Sequence, residues 1–270
     1  MSHHSLTSKQ ILSQLYRPLE LGEHAQLKVI SGGVLNTNYQ LHDQGRKFLV
    51  KRLVNSKFLG INRRERYQVQ SALAGKGLAP KPLFLSACQS IYVETWLDDV
   101  EAFSSISYPL KQTQIAALAD AMVRIHRVAI SDIPSDVKIS ELWRLYAKGA
   151  NSPLLIKEAK AMQIEYDGLE CSPKLCHNDL SIAHLSLNSK LLIDWEYACL
   201  GDPYFDLMSC VSINQFNQAQ TRFFLNCYAQ KMGLCEQTLR QHCVLRMKFV
   251  DFTYRSWTAM VRQQSLHKEA

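Results

Sequence analysis

Leu175-Cys176-His177-Asn178-Asp179-Leu180 and Leu192-Ile193-Asp194-Trp195-Glu196-Tyr197 are the two stretches whose reading decides the fold. In the first, an apolar run opens into a polar loop carrying His177 and Asp179. In the second, fifteen residues beyond Asp179, a short apolar strand ends in Asp194. A strand ending in aspartate presents a carboxylate at the lip of a sheet, where it can meet a hard cation. Taken alone, Asp194 reads equally well as a turn or helix-cap residue, and His-x-Asp occurs in many loops. Their order and spacing make the pair informative.

Phosphoryl transfer asks little covalent chemistry of a protein: a group to accept the hydroxyl proton, a metal to neutralise phosphate charge, and positioning. A His-x-Asp loop supplies the first, with Asp179 as base. Asp194 supplies a magnesium ligand.

Upstream, residues 26–31, 38–42 and 47–53 alternate apolar and polar, with a Gly32-Gly33 pair after the first run and Asp43-Gln44-Gly45 as a turn after the second. A small antiparallel sheet is expected. In the stretch Ser31 to Tyr39, Gly32, Gly33 and Asn36 lie where backbone amides would approach phosphates, although a Gly-Gly hairpin is more often only a turn. Two-residue alternation puts Leu49 and Lys51 on one face, Leu49 to cover a base and Lys51 to reach phosphates. A helix over 62–75 follows, and its Glu65 is placed to pair with Lys51. Pro80 and Pro82 end it. Strands over 83–85 and 91–96 complete a first lobe, residues 1–97.

The second lobe, residues 98–270, reads as mainly helical. Ile115, Leu118, Ala119, Met122 and Ile125 recur at helical spacing. Further helices are expected over 140–148, 153–166, 205–213, 218–232 and 236–261, with two short strands over 185–187 and 191–193.

Composition narrows the rest. The chain of 270 residues has room for two lobes, each with a core. No basic-flanked apolar segment opens it and no run suits a membrane span, so the cytoplasm is the expected address and no membrane partner is expected. None of the eight cysteines forms a Cys-x-x-Cys pair; all read as small buried hydrophobes. The formal charge of +7 would attract polyphosphate or nucleic acid. The basic residues are dispersed, however, and Arg63-Arg64-Glu65-Arg66 reads as a solvated face. No nucleic-acid-binding motif is present, and none is expected as a partner.

The two opening stretches, with Gly201-Asp202-Pro203-Tyr204-Phe205-Asp206-Leu207, the Ser31 to Tyr39 loop and Gly77-Leu78-Ala79-Pro80, resemble the choline/ethanolamine kinase and thiamine kinase group of the aminoglycoside phosphotransferase superfamily. The resemblance covers roughly residues 28–207. It implies an α+β, two-lobed protein-kinase-like fold: a small antiparallel sheet in the N-lobe, a mainly helical C-lobe, and ATP with Mg2+ between them. It further implies a hinge at Val93 to Leu97, with Glu94 and Trp96 at the adenine, Asp179 as base, Asp194 as metal ligand, His177 as a brace and Asp206 as a cap or anchor of the helix behind the loop. The pattern departs at one position. Where the family carries asparagine, five residues after the base, this chain has His184. His184 is therefore either a candidate metal ligand of unusual type, with Mn2+ an alternative to Mg2+, or a side chain turned into the core behind the Leu185 strand. For the acceptor, a small alcohol, Trp195, Glu196, Tyr197, Tyr204, Tyr254 and Trp257 would favour a compact cation, because aromatic faces and a carboxylate attract one. The competing readings are a kinase-like nucleotide-binding protein with little catalysis, which His184 motivates, and an aminoglycoside-type phosphotransferase.

Overall fold

Asp43-Gln44-Gly45-Arg46 reverses the chain between β2 (Thr37–Asp43) and β3 (Arg46–Arg52), with Gln44 at φ 47° and Gly45 at φ 79°. Two successive positive φ values give the turn whose twist matches paired strands, which is why glycine stands there. The computed structural model describes residues 7–30, 35–54, 57–100, 105–129, 131 and 138–269, with side chains through 264. β1 (Gln26–Ile30), β4 (Pro82–Leu85) and β5 (Ile91–Thr95) complete an antiparallel sheet in the order β1-β2-β3-β5-β4.

Alternation gives this sheet two different faces. Tyr39, Leu41, Phe48, Val50, Ile91 and Val93 pack on one side against Ile11, Leu15 and Leu19 of α1 (Ser8–Leu19). The other face, with Leu49, Lys51 and Glu94, is turned to the cleft described below. α1 begins at a capping box in which Thr7 and Gln10 exchange hydrogen bonds.

α2 (Arg63–Gly75) starts at the Asn62 cap. Its Val69 and Leu73 join the helical core rather than the sheet core. The helical half holds α3 (Gln112–His126), α4 (Ile139–Gly149), α5 (Pro153–Asp167), α6 (Pro203–Ile213), α7 (Gln218–Met232) and α8 (Glu236–Glu269). Trp143 of α4 is fully buried, stacked on Phe249 and edge-on to Phe252 and Tyr166, with Nε1 donating to Thr253 Oγ1 at 2.6 Å. Truncating such a side chain costs about 3–5 kcal/mol.

Between α5 and α6 lies the segment quoted first. β6 (Lys174–Cys176) pairs antiparallel with β7 (Cys199–Gly201). The two strands expected over 185–187 and 191–193 reduce to one bridge, Leu185 to Leu192, after a 3-10 turn over Ile182–His184. The physical reason is local. Ser186 Oγ accepts from Ser189 N, and Asp99 accepts from Asn188 N, so side chains take donors a ladder would need.

The cysteine expectation holds for Cys176, Cys199, Cys210 and Cys243, which are buried; Cys88 and Cys235 are exposed, and all eight are free thiols. Among the described residues no helix is long and apolar enough to cross a membrane.

Candidate active site

The polar face of the sheet and the helical half enclose a cleft of about 1390 Å³. Leu49, Lys51, Glu94 and Trp96 line it from the sheet side. Asp179, His184, Asp194 and Glu196 form its floor, and Tyr146, Tyr197, Tyr254 and Trp257 its far wall.

The floor is built from two constrained backbone positions. Asn178 sits at φ 63° and Asp194 at φ 68°, in the left-handed region that Asn and Asp tolerate best. Such strain persists only where the surroundings over-determine it, and here they do. Asp206 Oδ2 accepts the backbone N–H of His177 at 2.9 Å, and Oδ1 that of Asn178 at 2.7 Å. Asn178 Nδ2 donates to Tyr197 O at 2.9 Å, tying the first loop to the second. Ser209 Oγ donates to Asn178 O, and Asn214 Oδ1 accepts from Ile182 N, both at 2.8 Å. Asp179 is thus carried between fixed ends, and His177 is fixed too, with Nε2 donating to Ile193 O at 3.1 Å.

Charge is concentrated on this floor. Lys51 Nζ lies 2.8 Å from Asp194 Oδ1. Burial alone would pull the Lys51 ammonium down, but Asp194 and Glu94 outweigh it and leave the group above the usual lysine value. Burial pushes Asp194 up, and the Lys51 ammonium at its side more than reverses this, so its carboxyl ends well below the usual range. Asp179 goes the other way. Burial, then repulsion from Asp194 and Glu196, hold its carboxyl well above the ordinary value. Glu196 pairs with Arg63 Nη1 at 3.0 Å and accepts a long bond from Asn36 Nδ2 at 3.5 Å. Burial, with Asp194 next, raises it.

These donors fit a divalent cation. One atom each from Asp179, His184 and Asp194 lies within 4.8 Å of the others. Burial lowers the pKa of His184 and outweighs Asp194, which raises it, and this favours the neutral ring a metal needs. A cation among these groups would offset the mutual repulsion of the carboxylates.

The residues singled out in the sequence separate into groups. Asn36, Lys51, Glu94, Trp96, Asp179, His184, Asp194, Glu196, Tyr197, Tyr254 and Trp257 all line the cleft. Gly32 and Gly33 lie outside the described residues. Glu65 does not pair with Lys51; it accepts from its neighbour Arg66 at 2.5 Å. The carboxylate beside Lys51 from the sheet side is Glu94, which faces it diagonally across the β3–β5 ladder, where Leu49 is opposite Glu94 and Lys51 opposite Tyr92. Trp195 is not in the cleft: it is 1% exposed, packs against His177 and donates from Nε1 to Leu192 O at 2.7 Å. Tyr204 is also absent from the lining, stacked instead on His242. The run Arg63 to Arg66 is not a solvated face. Arg63 and Arg66, three apart on α2, both turn inward. Sequence reading missed Tyr146 and Arg63. Their only signal was helical spacing, which does not tell a cleft wall from a core.

The surrounding fold is known. Protein LicA of Haemophilus influenzae is 25% identical over 243 residues, 84% of this chain and 69% of that protein. The crystal structure of LicA in complex with AMP superposes with a TM-score of 0.73 at 20% identity, covering 97% of this chain and 92% of that one. Choline kinase LicA from Streptococcus pneumoniae superposes with a TM-score of 0.69 at 19% identity, covering 95% and 91%. The α+β architecture is therefore the two-lobed kinase-like one. The model of the phosphotransferase enzyme family matches residues 26–231, from the first strand through the floor of the cleft to the end of α7, and on that match this chain belongs to the phosphotransferase enzyme family.

Proposed function

We propose that this chain is an ATP-dependent small-molecule kinase that transfers the γ-phosphoryl group to the hydroxyl of a compact cationic alcohol of the choline, ethanolamine or thiamine type. Residues 1–97 would form the nucleotide lobe and 98–270 the lobe bearing the catalytic loop and acceptor site. One observation carries the reading: Asp179 and the Lys51–Asp194 pair line one cleft together with the aromatic wall of Tyr146, Tyr197, Tyr254 and Trp257.

In this reading Trp96 and Leu49 flank the adenine, and Lys51 contacts the phosphates. Asp194, with His184 beside it, would hold a divalent cation, which when bound neutralises phosphate charge. Asp179 accepts the acceptor's hydroxyl proton, and burial with the neighbouring carboxylates of Asp194 and Glu196 makes it more basic than an ordinary aspartate. The aromatic wall attracts the cation through ring faces, and Glu196 adds negative charge. The names of the relatives, a choline kinase and a nucleotide complex among them, support the reading.

An aminoglycoside acceptor is less well served. Polycationic sugars want several carboxylates, and the cleft lining from α6 and α8 (Phe205, Ser209, Ser212, Ile213, Val250, Thr253, Tyr254 and Trp257) contains none.

The test is a coupled ATP-consumption assay with choline, ethanolamine, thiamine and an aminoglycoside, beside thermal melts with an ATP analogue. Turnover with a cationic alcohol and a nucleotide-dependent rise in melting temperature are expected. A nucleotide shift without turnover on any acceptor would leave a binding protein instead.

A further inference from the structure

The residue that departs from the family pattern is held in a specific way. His184 Nδ1 lies 2.7 Å from the backbone oxygen of Asp179. A carbonyl only accepts, so Nδ1 carries the proton, and in the neutral ring Nε2 is left with a bare lone pair. Nε2 faces Asp194 Oδ2 at 3.7 Å, beyond hydrogen-bond length. The other Asp194 oxygen is already taken by Lys51. Two electron-pair donors therefore face each other across a gap that two metal–ligand bonds of about 2.1 Å span.

The ring is also fixed in orientation. It stacks on His177 with centroids 6.0 Å apart and planes 20° apart, and its backbone N–H donates to Ser181 O at 3.0 Å. It lines the cleft with its side chain 16% exposed, so it does not point into the core behind Leu185. Donating one ring N–H to a backbone carbonyl while leaving the other nitrogen bare is how metal-binding histidines are oriented.

We propose that His184 Nε2 is a direct ligand of the divalent ion in this cleft, next to Asp194, and that it shifts the site from magnesium toward manganese or cobalt. Magnesium takes oxygen donors almost exclusively, whereas imidazole suits borderline first-row metals. The identity of the site as a kinase metal site rests on the function proposed above; the donor assignment rests on the geometry alone.

The probe is MnCl2 added to the full chain labelled with 15N-histidine, with and without ADP, read by electron spin-echo modulation. A nitrogen coupling to bound manganese is expected in the wild type and absent in His184→Asn. The ratio of Mg2+ to Mn2+ dissociation constants should fall on the order of tenfold in the variant. His184→Gln serves if the first variant does not fold, with melting temperature as the check. Manganese that does not bind, that binds without nitrogen coupling, or an unchanged metal ratio in a folded variant overturns the assignment. The two readings fail separately. Coupling without phosphoryl transfer to any alcohol keeps the ligand and removes the kinase. Transfer with either metal and no coupling does the reverse.

Discussion

His126 Nε2 lies 3.1 Å from Asp206 Oδ2, and neither side chain has any exposure to solvent. With Nε2–H given to the carboxylate, Nδ1 is left to accept from the Tyr228 hydroxyl at 2.8 Å, and burial keeps that proton on the phenol. Three elements, α3, α6 and α7, thereby meet beneath the loop that carries Asp179, because Asp206 also receives the N–H groups of His177 and Asn178. Asp206 is not the helix cap. Asp202 is, and Arg246 Nε holds it at 2.8 Å.

Asp206→Asn should therefore act on the loop. An amide replaces one acceptor oxygen with a donor facing a backbone N–H, leaving buried groups unsatisfied. A loss of about 2–3 kcal/mol is expected, seen as a fall of about 5 °C or more in melting temperature. Turnover should fall at least tenfold while nucleotide affinity, measured separately, changes little. Loss of both together would mean that Asp206 serves the whole fold and not the loop.

Much of this was legible in the sequence, for physical reasons that differ by element. The sheet was readable because Phe48 and Val50 alternate with Leu49 and Lys51, and a turn with Gly45 joins its strands. α8 was readable because Leu239, Cys243, Arg246 and Val250 recur every three or four residues, although Arg246 is a buried charge in that row. α1 was overlooked despite carrying two ordinary signals, the Thr7-x-x-Gln10 box and Ile11, Leu15 and Leu19 four apart. Asp179 and Asp194 were legible because chemistry restricts their types and spacing. The partners of Lys51 and Glu196 were not, since pairing across elements depends on packing that local pattern does not encode.

Asp179 and Asp194 should separate when mutated. Asp179→Asn removes the proton acceptor but keeps shape, so turnover should fall about 100-fold or more with nucleotide affinity near the wild-type value. Asp194→Ala removes the partner of Lys51 and a metal donor, so nucleotide affinity in the presence of metal should fall as well. Calorimetric titration with an ATP analogue, set beside initial rates, distinguishes the two. Normal turnover in Asp179→Asn would overturn its role as base.

The Arg63–Glu196 pair connects the start of α2 to the turn after Asp194. Arg63→Met alone leaves Glu196 beside Asp194 without its counter-charge and should cost about 2 kcal/mol in urea melts. The double variant Arg63→Met/Glu196→Gln removes the stranded charge and should be more stable than Arg63→Met alone, with a coupling of about 1–2 kcal/mol. Strict additivity would mean that the pair contributes nothing.

Trp257 donates from Nε1 to the Tyr197 hydroxyl at 3.1 Å, and Tyr254, 66% exposed, stands at the rim of the same wall. If these rings hold a cation, Trp257→Leu should raise KM for the cationic alcohol by about tenfold and leave KM for ATP within about twofold; the loss of one cation–π contact is worth roughly 0.5–2 kcal/mol. Tyr254→Leu should do the same to a smaller degree, because its ring is more hydrated. Equal changes in both constants would remove the cation pocket.

His177 predicts how stability depends on pH. Burial lowers its pKa to about 4. Its Nε2–H is given to Ile193 O, and its buried Nδ1 has no hydrogen-bond partner among the described residues. In the unfolded chain the ring takes a proton near pH 6.5. Between pH 6.5 and 4 the unfolded state thus binds more protons than the native one, so stability rises with pH across this window. Its contribution is complete above about pH 6.5 and is lost as pH falls toward 4, at most about 3 kcal/mol. Asp179, raised by burial, works in the opposite direction, so the difference between two proteins is the useful quantity. His177→Gln keeps an N–H for Ile193 O and cannot titrate. In urea melts with chelator present, the wild type should lose about 1–3 kcal/mol more than the variant between pH 7.5 and pH 5. Equal losses in the two proteins would mean that His177 is charged in the native state, and that the buried Nδ1 carries a proton with a partner of its own.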